Sequence, residues 1–256
     1  MQSPDFAKIS RRCRRRNLSV SLFFYCFGTY ILEELMINQF DETKDFMYEN
    51  GFYLTSKPYR LGNVLAHYEL YKMITSIPGD IVELGVFKGA SLIQWGTFRE
   101  LLENERSRKI VGFDMFGEFP DSDKVESDKK FIRNWNEQFK NSFVSQEEIY
   151  ESLKLKNIGN VELIKGDIKE TLPDYLSKNR HLRIALLHID TDVYEPCKIG
   201  LELLYDLVVP NGLIVFDDYS TIEGETIAVD EFFAEKKHSF KKFPFSHTKP
   251  VYMIKE

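Results

Sequence analysis

The sequence has little cysteine and no excess of positive charge. Its 256 residues include three cysteines, and the formal net charge is −6 at pH 7. Three widely spaced cysteines suggest neither a disulfide framework nor a zinc knuckle, which favours a reducing, cytoplasmic compartment. The negative charge argues against a general nucleic-acid-binding protein, because such a protein presents a basic surface. The sequence also contains no cluster of histidines and cysteines that would predict a zinc site.

Internal repeats and low-complexity tracts are absent, and no apolar run is long enough for a comfortable membrane span. A mostly apolar segment at 18–32 follows a basic cluster at 11–16, in the outline of a secretory signal without a clear cleavage site. Residues 1–35 are therefore an N-terminal extension with four open interpretations: a start assigned too early, with the natural chain beginning at Met36, a docking helix, a weak membrane anchor or a signal. No linker interrupts residues 36–256, which predicts a single domain.

After residue 80, short apolar strands alternate with helices. The predicted strands are at 81–86, 109–113, 161–165, 184–189 and 213–216, and the predicted helices are at 90–104, 171–178, 195–208 and 226–236. This alternation predicts an α/β fold, doubly wound, with a mostly parallel sheet covered by helices on both faces. Two last strands, at 239–245 and 251–254, have no helix between them and predict an antiparallel C-terminal edge hairpin. Residues 38–77 and two parts of an insertion at 115–160 are predicted to be helical.

Acidic side chains follow several of the predicted strands. Asp190 and Asp192 end one strand in the sequence HIDTD, and Asp217 and Asp218 end another. The carboxyl ends of parallel strands meet at one edge of the sheet, where open α/β sheets bind ligands. Four carboxylates there raise each other's pKa unless a cation lies among them. A divalent cation with oxygen ligands is the simplest explanation.

A glycine-containing turn joins the first strand to the next helix. It includes Glu83, Gly85 and Gly89, where the glycines permit a tight turn and a close approach. The spacing differs from the Gly-x-Gly-x-x-Gly pattern of dinucleotide-binding proteins. The second strand ends in Asp114, which can accept both hydroxyls of a ribose, and the third leads to Asp167.

Together these segments resemble the macrocin O-methyltransferase family of class I S-adenosylmethionine (SAM) methyltransferases, which methylates sugar hydroxyls in a metal-dependent way. The matching segments are PGDIVELGV at 78–86, GFDMF at 112–116, HIDTDVYE at 188–195, FDDY at 216–219 and AVDEF at 228–232. The resemblance implies a Rossmann-like fold and an acceptor lid built from the N-terminal and inserted helical segments. The implied cofactor-binding residues are Glu83, Gly85, Gly89, Asp114, Asp167 and Asp190.

The resemblance further implies that Mg²⁺ binds to Asp190, Asp217 and Asp218, and that Asp192 is the general base. The chemistry agrees with these roles. SAM carries its own reactive methyl group, so the protein supplies alignment and a competent nucleophile. A sugar hydroxyl has a pKa far above neutral, and a cation lowers it while a carboxylate takes the proton. Two residues apart on a strand, Asp190 and Asp192 share one face.

Three other functions remain open. An aspartyl phosphatase of the haloacid-dehalogenase type would use Asp190 as nucleophile and Asp192 as acid/base. In that family, however, the motif normally lies at the start of the fold, whereas three predicted strands precede it here. A nicotinamide dehydrogenase is the second alternative, but the sequence lacks the glycine pattern of such enzymes. A non-catalytic SAM-fold binding protein is the third alternative. His188 is expected to be packed and hydrogen-bonded rather than a ligand. The expected partners are a small-molecule or glycan acceptor and a second copy of the chain, with neither nucleic acid nor firm membrane association.

Overall fold

The computed structural model describes residues 41–120, 125–140, 142–245 and 249–256. The N-terminal extension at 1–35 lies outside these residues, so its four interpretations stay predictions. The chain divides into two compact units, Met1–Asn50 and Gly51–Glu256. In the first unit, the described residues start at Asp41 and include a short 3₁₀ helix, Glu42–Lys44. Asp41 caps this helix, because its side chain accepts a hydrogen bond from the Thr43 amide. The second unit carries the sheet.

The described elements alternate as predicted. The helices are α1 (Asp45–Thr55), α2 (Pro58–Ile74), α3 (Ala90–Leu102), α4 (Glu126–Phe139), α5 (Gln146–Leu155), α6 (Ile168–Lys178), α7 (Tyr194–Leu204) and α8 (Glu223–Phe233). The strands are β1 (Asp80–Leu84), β2 (Ile110–Asp114), β3 (Val161–Lys165), β4 (Ile184–Ile189), β5 (Val208–Phe216), β6 (Lys241–Lys242) and β7 (Val251–Ile254). A 3₁₀ turn, Tyr205–Leu207, links α7 to β5. The inserted segment contains α4 and α5, which confirms the two predicted helices.

The strands form one seven-stranded sheet in the order β3-β2-β1-β4-β5-β7-β6. The pairs from β3 to β5 are parallel, whereas β7 is antiparallel to both β5 and β6. The mostly parallel sheet and its antiparallel C-terminal hairpin are therefore confirmed. The order reverses beside β1, and the crevice at such a switch point is where open α/β sheets bind ligands.

Helices cover both faces of the sheet, because the central strands are buried on both sides. Every residue of β4 is buried, so its sequence is a continuous apolar run instead of an alternating one. On one face, Val82, Leu187 and Phe216 pack with α6, α7 and α8. On the other, Ile81 and Val215 pack with α2, α3 and α5. This double covering leaves the strand ends as the accessible part of the sheet.

Several element bounds differ from the sequence prediction for local reasons. Helix α6 begins at Ile168 instead of residue 171, because the Asp167 side chain caps it by accepting a hydrogen bond from the Lys169 amide. Strand β5 begins at Val208, which pairs with Ile184 ahead of the predicted start. The predicted strand at 239–245 is reduced to Lys241–Lys242. Within the described residues, no helix has both the length and the hydrophobicity needed to cross a bilayer.

A buried ion pair fixes the turn between α3 and β2. The Arg108 guanidinium donates two hydrogen bonds of 2.9 Å to the carboxylate of Glu103. It also donates 3.0 Å hydrogen bonds to the carbonyl oxygens of Gly79, ahead of β1, and of Ile74, at the end of α2. One side chain thus joins the end of a helix to the starts of two strands. The pKa of Glu103 is lowered, since Arg108 and Tyr71 outweigh the opposing effect of burial.

We expect Arg108→Met to destabilise the fold by about 2–3 kcal/mol, because the partly buried Glu103 carboxylate and the carbonyl oxygens of Gly79 and Ile74 lose their hydrogen-bond donor. Urea denaturation measures the loss as a lower unfolding midpoint. Arg106→Met is the matched control at an exposed position of the same turn, expected to change stability by no more than about 0.5 kcal/mol. Equal midpoints for the two variants would show that the buried pair contributes no net stability.

Candidate functional site

The register of the central strands brings the predicted aspartates together. Leu84 of β1 pairs with Ile189 of β4, which pairs with Phe216 of β5. The residues that follow these three positions therefore emerge side by side at one edge of the sheet. The amide of Asp190 donates to the carbonyl of Leu84 at 2.8 Å, and the amide of Asp217 donates to that of Ile189 at 3.0 Å. The aspartate segments are thus fixed by backbone hydrogen bonds.

Gly85 allows the turn after β1 to lie against the aspartate segment. Its φ angle is +87°, a conformation that residues with a Cβ rarely adopt. A Cβ at this position would also collide with the backbone carbonyl of Asp190. The glycine therefore lets the turn and the acidic segment touch through their backbones.

Asp190, Asp192 and Asp218 form a cluster of carboxylates. One oxygen from each lies within 4.8 Å of the others. The pKa values of Asp190 and Asp192 are well above the ordinary aspartate value, first because of burial and then because of the neighbouring acids. Asp192 also has a left-handed backbone, with φ of +62°. A set of oxygen donors whose charges oppose one another fits a hard divalent cation such as Mg²⁺.

Asp217 lies at the same edge of the sheet, and its two carboxylate oxygens have different neighbours. Its Oδ2 atom lies 3.2 Å from the Lys249 ammonium, and its Oδ1 atom lies 4.0 Å from Nε2 of His67. Burial acts to raise the pKa of Asp217, but Lys249, His188 and His67 together outweigh it and lower the pKa. Asp217 thus differs from Asp190 and Asp192 in keeping its negative charge readily.

Two charged residues of the site were missed by the sequence analysis. Lys249 lies 2.7 Å from Oδ1 of Asp218, and it reaches the site because Val251 pairs with Phe216 at the end of β5. Glu225 is fully buried on α8 and accepts a hydrogen bond of 3.0 Å from the Asp218 amide. Burial, and then Asp218, raises the pKa of Glu225 well above its ordinary value. Lys249 carries no local sequence signal because it depends on the pairing of β7 with β5, whereas Glu225 lies only seven residues after Asp218 and matches no motif recognised in the sequence.

A cavity of about 580 Å³ opens over this edge of the sheet. Of the predicted site residues, those that line the cavity are Gly85, Asp114, Asp167, Asp190, Asp192, Asp217 and Asp218. Glu83 is fully buried, and its Oε1 atom accepts hydrogen bonds from Ser91 Oγ and, at 3.2 Å, from His188 Nδ1. Gly89 has φ of +81° at the start of α3, where a Cβ would lie 3.2 Å from Ile149. Glu83 and Gly89 therefore support the turn from outside the cavity lining.

Asp114 fixes the conformation of the glycine turn. Its Oδ2 atom accepts hydrogen bonds of 2.8 Å from the amides of Val86 and Phe87, and Oδ1 accepts one from the Phe116 amide. Asp114 also lines the cavity beside the turn. Asp167 lies farther along the same side, at the start of α6. The end of each of the three strands β1, β2 and β3 therefore contributes to one wall.

Aromatic side chains of the inserted segment form another wall. Trp135 of α4 lies 5.1 Å from Phe87 and 6.1 Å from Phe119, measured between ring centroids, and all three line the cavity. Phe131, Trp135 and Phe139 follow each other at four-residue spacing on α4, so they share one helix face. That spacing is a signal from which the sequence could have identified the aromatic face of α4, which contributes Trp135 to the wall.

Replacing the Lys249 ammonium should strengthen cation binding, because it competes with a metal ion for the same carboxylate oxygens. We expect Lys249→Met to tighten Mg²⁺ binding about tenfold, measured by calorimetry. Lys237→Met, at an exposed position, is the matched control and should leave the affinity unchanged. Equal or weaker Mg²⁺ binding by Lys249→Met would exclude competition between this side chain and the cation.

Comparisons with known proteins agree with this arrangement. The profile of the Macrocin-O-methyltransferase (TylF) family matches residues 59–242. Demethyldecarbamoylnovobiocin O-methyltransferase of Streptomyces niveus is 30% identical over 167 residues, which are 62% of this chain and 60% of that protein. A tetracenomycin-C 4'-O-methyltransferase of Streptomyces olivaceus is 28% identical over 152 residues, or 56% of this chain and 54% of that protein. The chain thus spans less than two thirds of the length of either relative.

Two solved methyltransferase structures have a fold similar to that of this chain. The calicheamicin methyltransferase CalS11 has a TM-score of 0.63 at 25% identity, covering 88% of this chain and 90% of its own. The O-methyltransferase NovP has a TM-score of 0.65 at 25% identity, covering 77% of this chain and 79% of its own. These similarities confirm the Rossmann-like methyltransferase fold. Because the family profile covers most of the sequence, including every strand up to β5 and all of the aspartates at the sheet edge, this chain belongs to the macrocin O-methyltransferase family.

Proposed function

We propose that the protein transfers a methyl group from SAM to a hydroxyl of a sugar, with Mg²⁺ as the cofactor. The observation that carries the proposal is that the glycine turn and the carboxylate cluster line one cavity and touch through the backbones of Gly85 and Asp190. A methyl donor at the turn and a hydroxyl at the carboxylates would then be neighbours. Such proximity supplies much of the rate of a transfer between two bound molecules.

The donor would lie along the wall formed by the ends of β1, β2 and β3. We assign Gly85, with Glu83 and Gly89 supporting the turn, to the methionine part of SAM. Asp114 would accept hydrogen bonds from the ribose hydroxyls, and Asp167 would lie at the adenine end. This assignment follows the order of the strands across the sheet, β3-β2-β1, so an extended nucleoside ligand meets these positions in sequence.

We assign the magnesium ligands to Asp190, Asp217 and Asp218. Their donor atoms are all carboxylate oxygens, and the acids repel one another in a partly buried setting, which a divalent cation relieves. When bound, Mg²⁺ would act as a Lewis acid that lowers the pKa of a sugar hydroxyl. Glu225 would hold the segment after β5 in place, since it accepts the hydrogen bond from the Asp218 amide.

Asp192 is the general base in this proposal. It lies in the carboxylate cluster and is the third residue after the end of β4, whereas Asp190 is the first. Asp192 would take the hydroxyl proton while the oxygen forms a bond to the methyl carbon. SAM would supply the methyl group, and its sulfur would keep the electron pair of the broken carbon–sulfur bond, so that S-adenosylhomocysteine would be the second product. Because β4 ends at Ile189, the alternation of a strand does not set the relative orientation of Asp190 and Asp192 as the sequence predicted, and Asp192 has a left-handed backbone.

The acceptor is proposed to be a sugar unit of a nucleotide sugar, a polysaccharide or a glycosylated natural product. The aromatic wall of Phe87, Phe119 and Trp135 supports this class, because flat rings pack against the apolar face of a sugar. The names of the relatives point the same way, since one describes a rhamnosyl tetracenomycin and another structure is called a TDP-rhamnose 3'-O-methyltransferase. The phosphatase alternative gains no such support, because Asp190 follows the fourth of the described strands instead of the first.

The function is tested by thermal unfolding and mass spectrometry. S-adenosylhomocysteine should raise the unfolding temperature in a concentration-dependent way, whereas NAD should not. Incubation with SAM, Mg²⁺ and a panel of nucleotide sugars should give a product heavier by one methylene group. Stabilisation by Mg²⁺ with a phosphate analogue, in the absence of any response to S-adenosylhomocysteine, would instead favour the phosphatase.

Asp192→Asn should keep donor and Mg²⁺ binding but lower turnover by about 10²–10⁴-fold, because an amide cannot accept the hydroxyl proton. Calorimetry with S-adenosylhomocysteine and Mg²⁺ checks binding, and a methyl-transfer assay checks turnover. Asp206→Asn is the control at an exposed aspartate and should have wild-type turnover. Unchanged turnover in Asp192→Asn would remove Asp192 from the role of base without affecting the donor site.

A further inference from the structure

Three buried polar atoms converge beside the carboxylate cluster. His67, His188 and Asp217 are 3%, 0% and 7% exposed, respectively. Nε2 of each histidine and Oδ1 of Asp217 are buried and have no hydrogen-bond partner among the described residues. One ligating atom from each of the three residues lies within 4.8 Å of the others. A group of unpaired polar atoms in a protein interior is costly, so a partner is expected.

The hydrogen bonds of the two rings determine what kind of partner fits. Nδ1 of His67 lies 2.8 Å from the amide oxygen of Gln94, and Nδ1 of His188 lies 3.2 Å from the carboxylate of Glu83. Both oxygens only accept, so both Nδ1 atoms carry the hydrogen. Each Nε2 atom therefore presents a lone pair. With Asp217 Oδ1, the two Nε2 atoms make three acceptors that receive no hydrogen bond from any residue that the structure describes.

This arrangement is typical of metal-binding histidines. Such histidines donate the ring N–H that is not at the metal to a carboxylate or an amide oxygen, which fixes the tautomer and the ring orientation. Glu83 is itself fixed by the hydroxyl of Ser91. Trp95 packs against both rings, with centroid distances of 4.6 Å to His67 and 5.5 Å to His188. Both imidazoles are therefore held with their lone pairs toward Asp217.

We propose that His67, His188 and Asp217 bind a transition-metal ion of the zinc type, at a second site next to the proposed magnesium site. Two imidazoles and one carboxylate suit Zn²⁺ or Co²⁺, whereas Mg²⁺ prefers oxygen ligands alone. Ligands of a tetrahedral zinc ion lie about 3.3–3.6 Å apart, so the 4.0 Å between His67 Nε2 and Asp217 Oδ1 requires a small closure. His67 and Asp217 line the cavity, which gives an ion a route of entry.

The ion would link three elements of the fold. His67 lies on α2, His188 on β4 and Asp217 directly after β5. Joining a helix to two central strands gives the ion a structural role, which does not depend on methyl transfer. From the sequence, His188 was expected to be packed and hydrogen-bonded, and no zinc cluster was predicted. The site escapes a sequence search because its ligands are 121 and 29 residues apart, as their numbers show.

The experiment is a Co²⁺ and Zn²⁺ titration of the full chain after dialysis against a chelator. We expect one equivalent of Co²⁺ to give the visible spectrum of a site with nitrogen ligands, and Zn²⁺ to displace it and raise the unfolding temperature. His67→Gln should weaken Zn²⁺ binding by at least roughly 100-fold, whereas His181→Gln, at an exposed histidine, should not weaken it. Asp190→Asn should retain Zn²⁺ binding and lose the response to Mg²⁺.

Crystals of the wild-type chain soaked in Zn²⁺ provide a test that needs no variant. An anomalous peak between the two imidazoles and Asp217 is the expected result. A peak only among Asp190, Asp192 and Asp218, or a water molecule between the rings at saturating Zn²⁺, would overturn the proposal. Neither result would affect methyl transfer, which is measured separately, so the failure of the zinc site and the failure of the proposed function can be distinguished.

Discussion

The site depends on one constraint: five acidic side chains are brought into the same small volume at the end of a parallel sheet. Asp190, Asp192, Asp217, Asp218 and Glu225 oppose one another electrostatically, and their burial, which is partial for Asp190 and Asp192, reduces the screening of this repulsion by water. Lys249 is the lysine that pairs with two of them within the part of the chain that the structure describes. The single positive charge of Lys249 does not balance the negative charges of these carboxylates, so a bound cation would stabilise the cluster. The proposed cation site follows from this imbalance more directly than from any single distance.

The sheet explains why the sequence was informative about these acids. Once the apolar runs are recognised as parallel strands, the residues directly after them must meet at one edge, whatever the details of packing. The registers Leu84 with Ile189 and Ile189 with Phe216 place the acidic segments side by side in this way. The same argument found the glycine turn and Asp114. The strand pattern, the helices on both faces and the closing antiparallel pair were predictable because each depends on local periodicity and on short connections.

What the sequence did not predict depends on contacts between distant elements. Lys249 reaches the acids because β7 pairs with β5, and His67 reaches His188 because α2 packs across β4. Neither residue lies in a recognisable motif. Glu83 shows a further limit, since an acid at a strand end was expected to face the ligand, whereas its carboxylate holds Ser91 and His188. Strand alternation gives the face of a side chain, but not whether the side chain ends in a cavity or under a helix.

Asp217 connects the two proposed metal sites and constrains how they work together. Its two carboxylate oxygens have different neighbours, since Oδ1 faces His67 and Oδ2 faces Lys249, which also pairs with Asp218. A cation bound to either oxygen would withdraw charge from the shared group and fix the rotation of the carboxylate. Each site would therefore change the affinity of the other, and by linkage the effect must be equal in both directions. Asp217 would therefore contribute to two roles at once: the structural site formed with the two histidines and the magnesium site at which methyl transfer is proposed to occur.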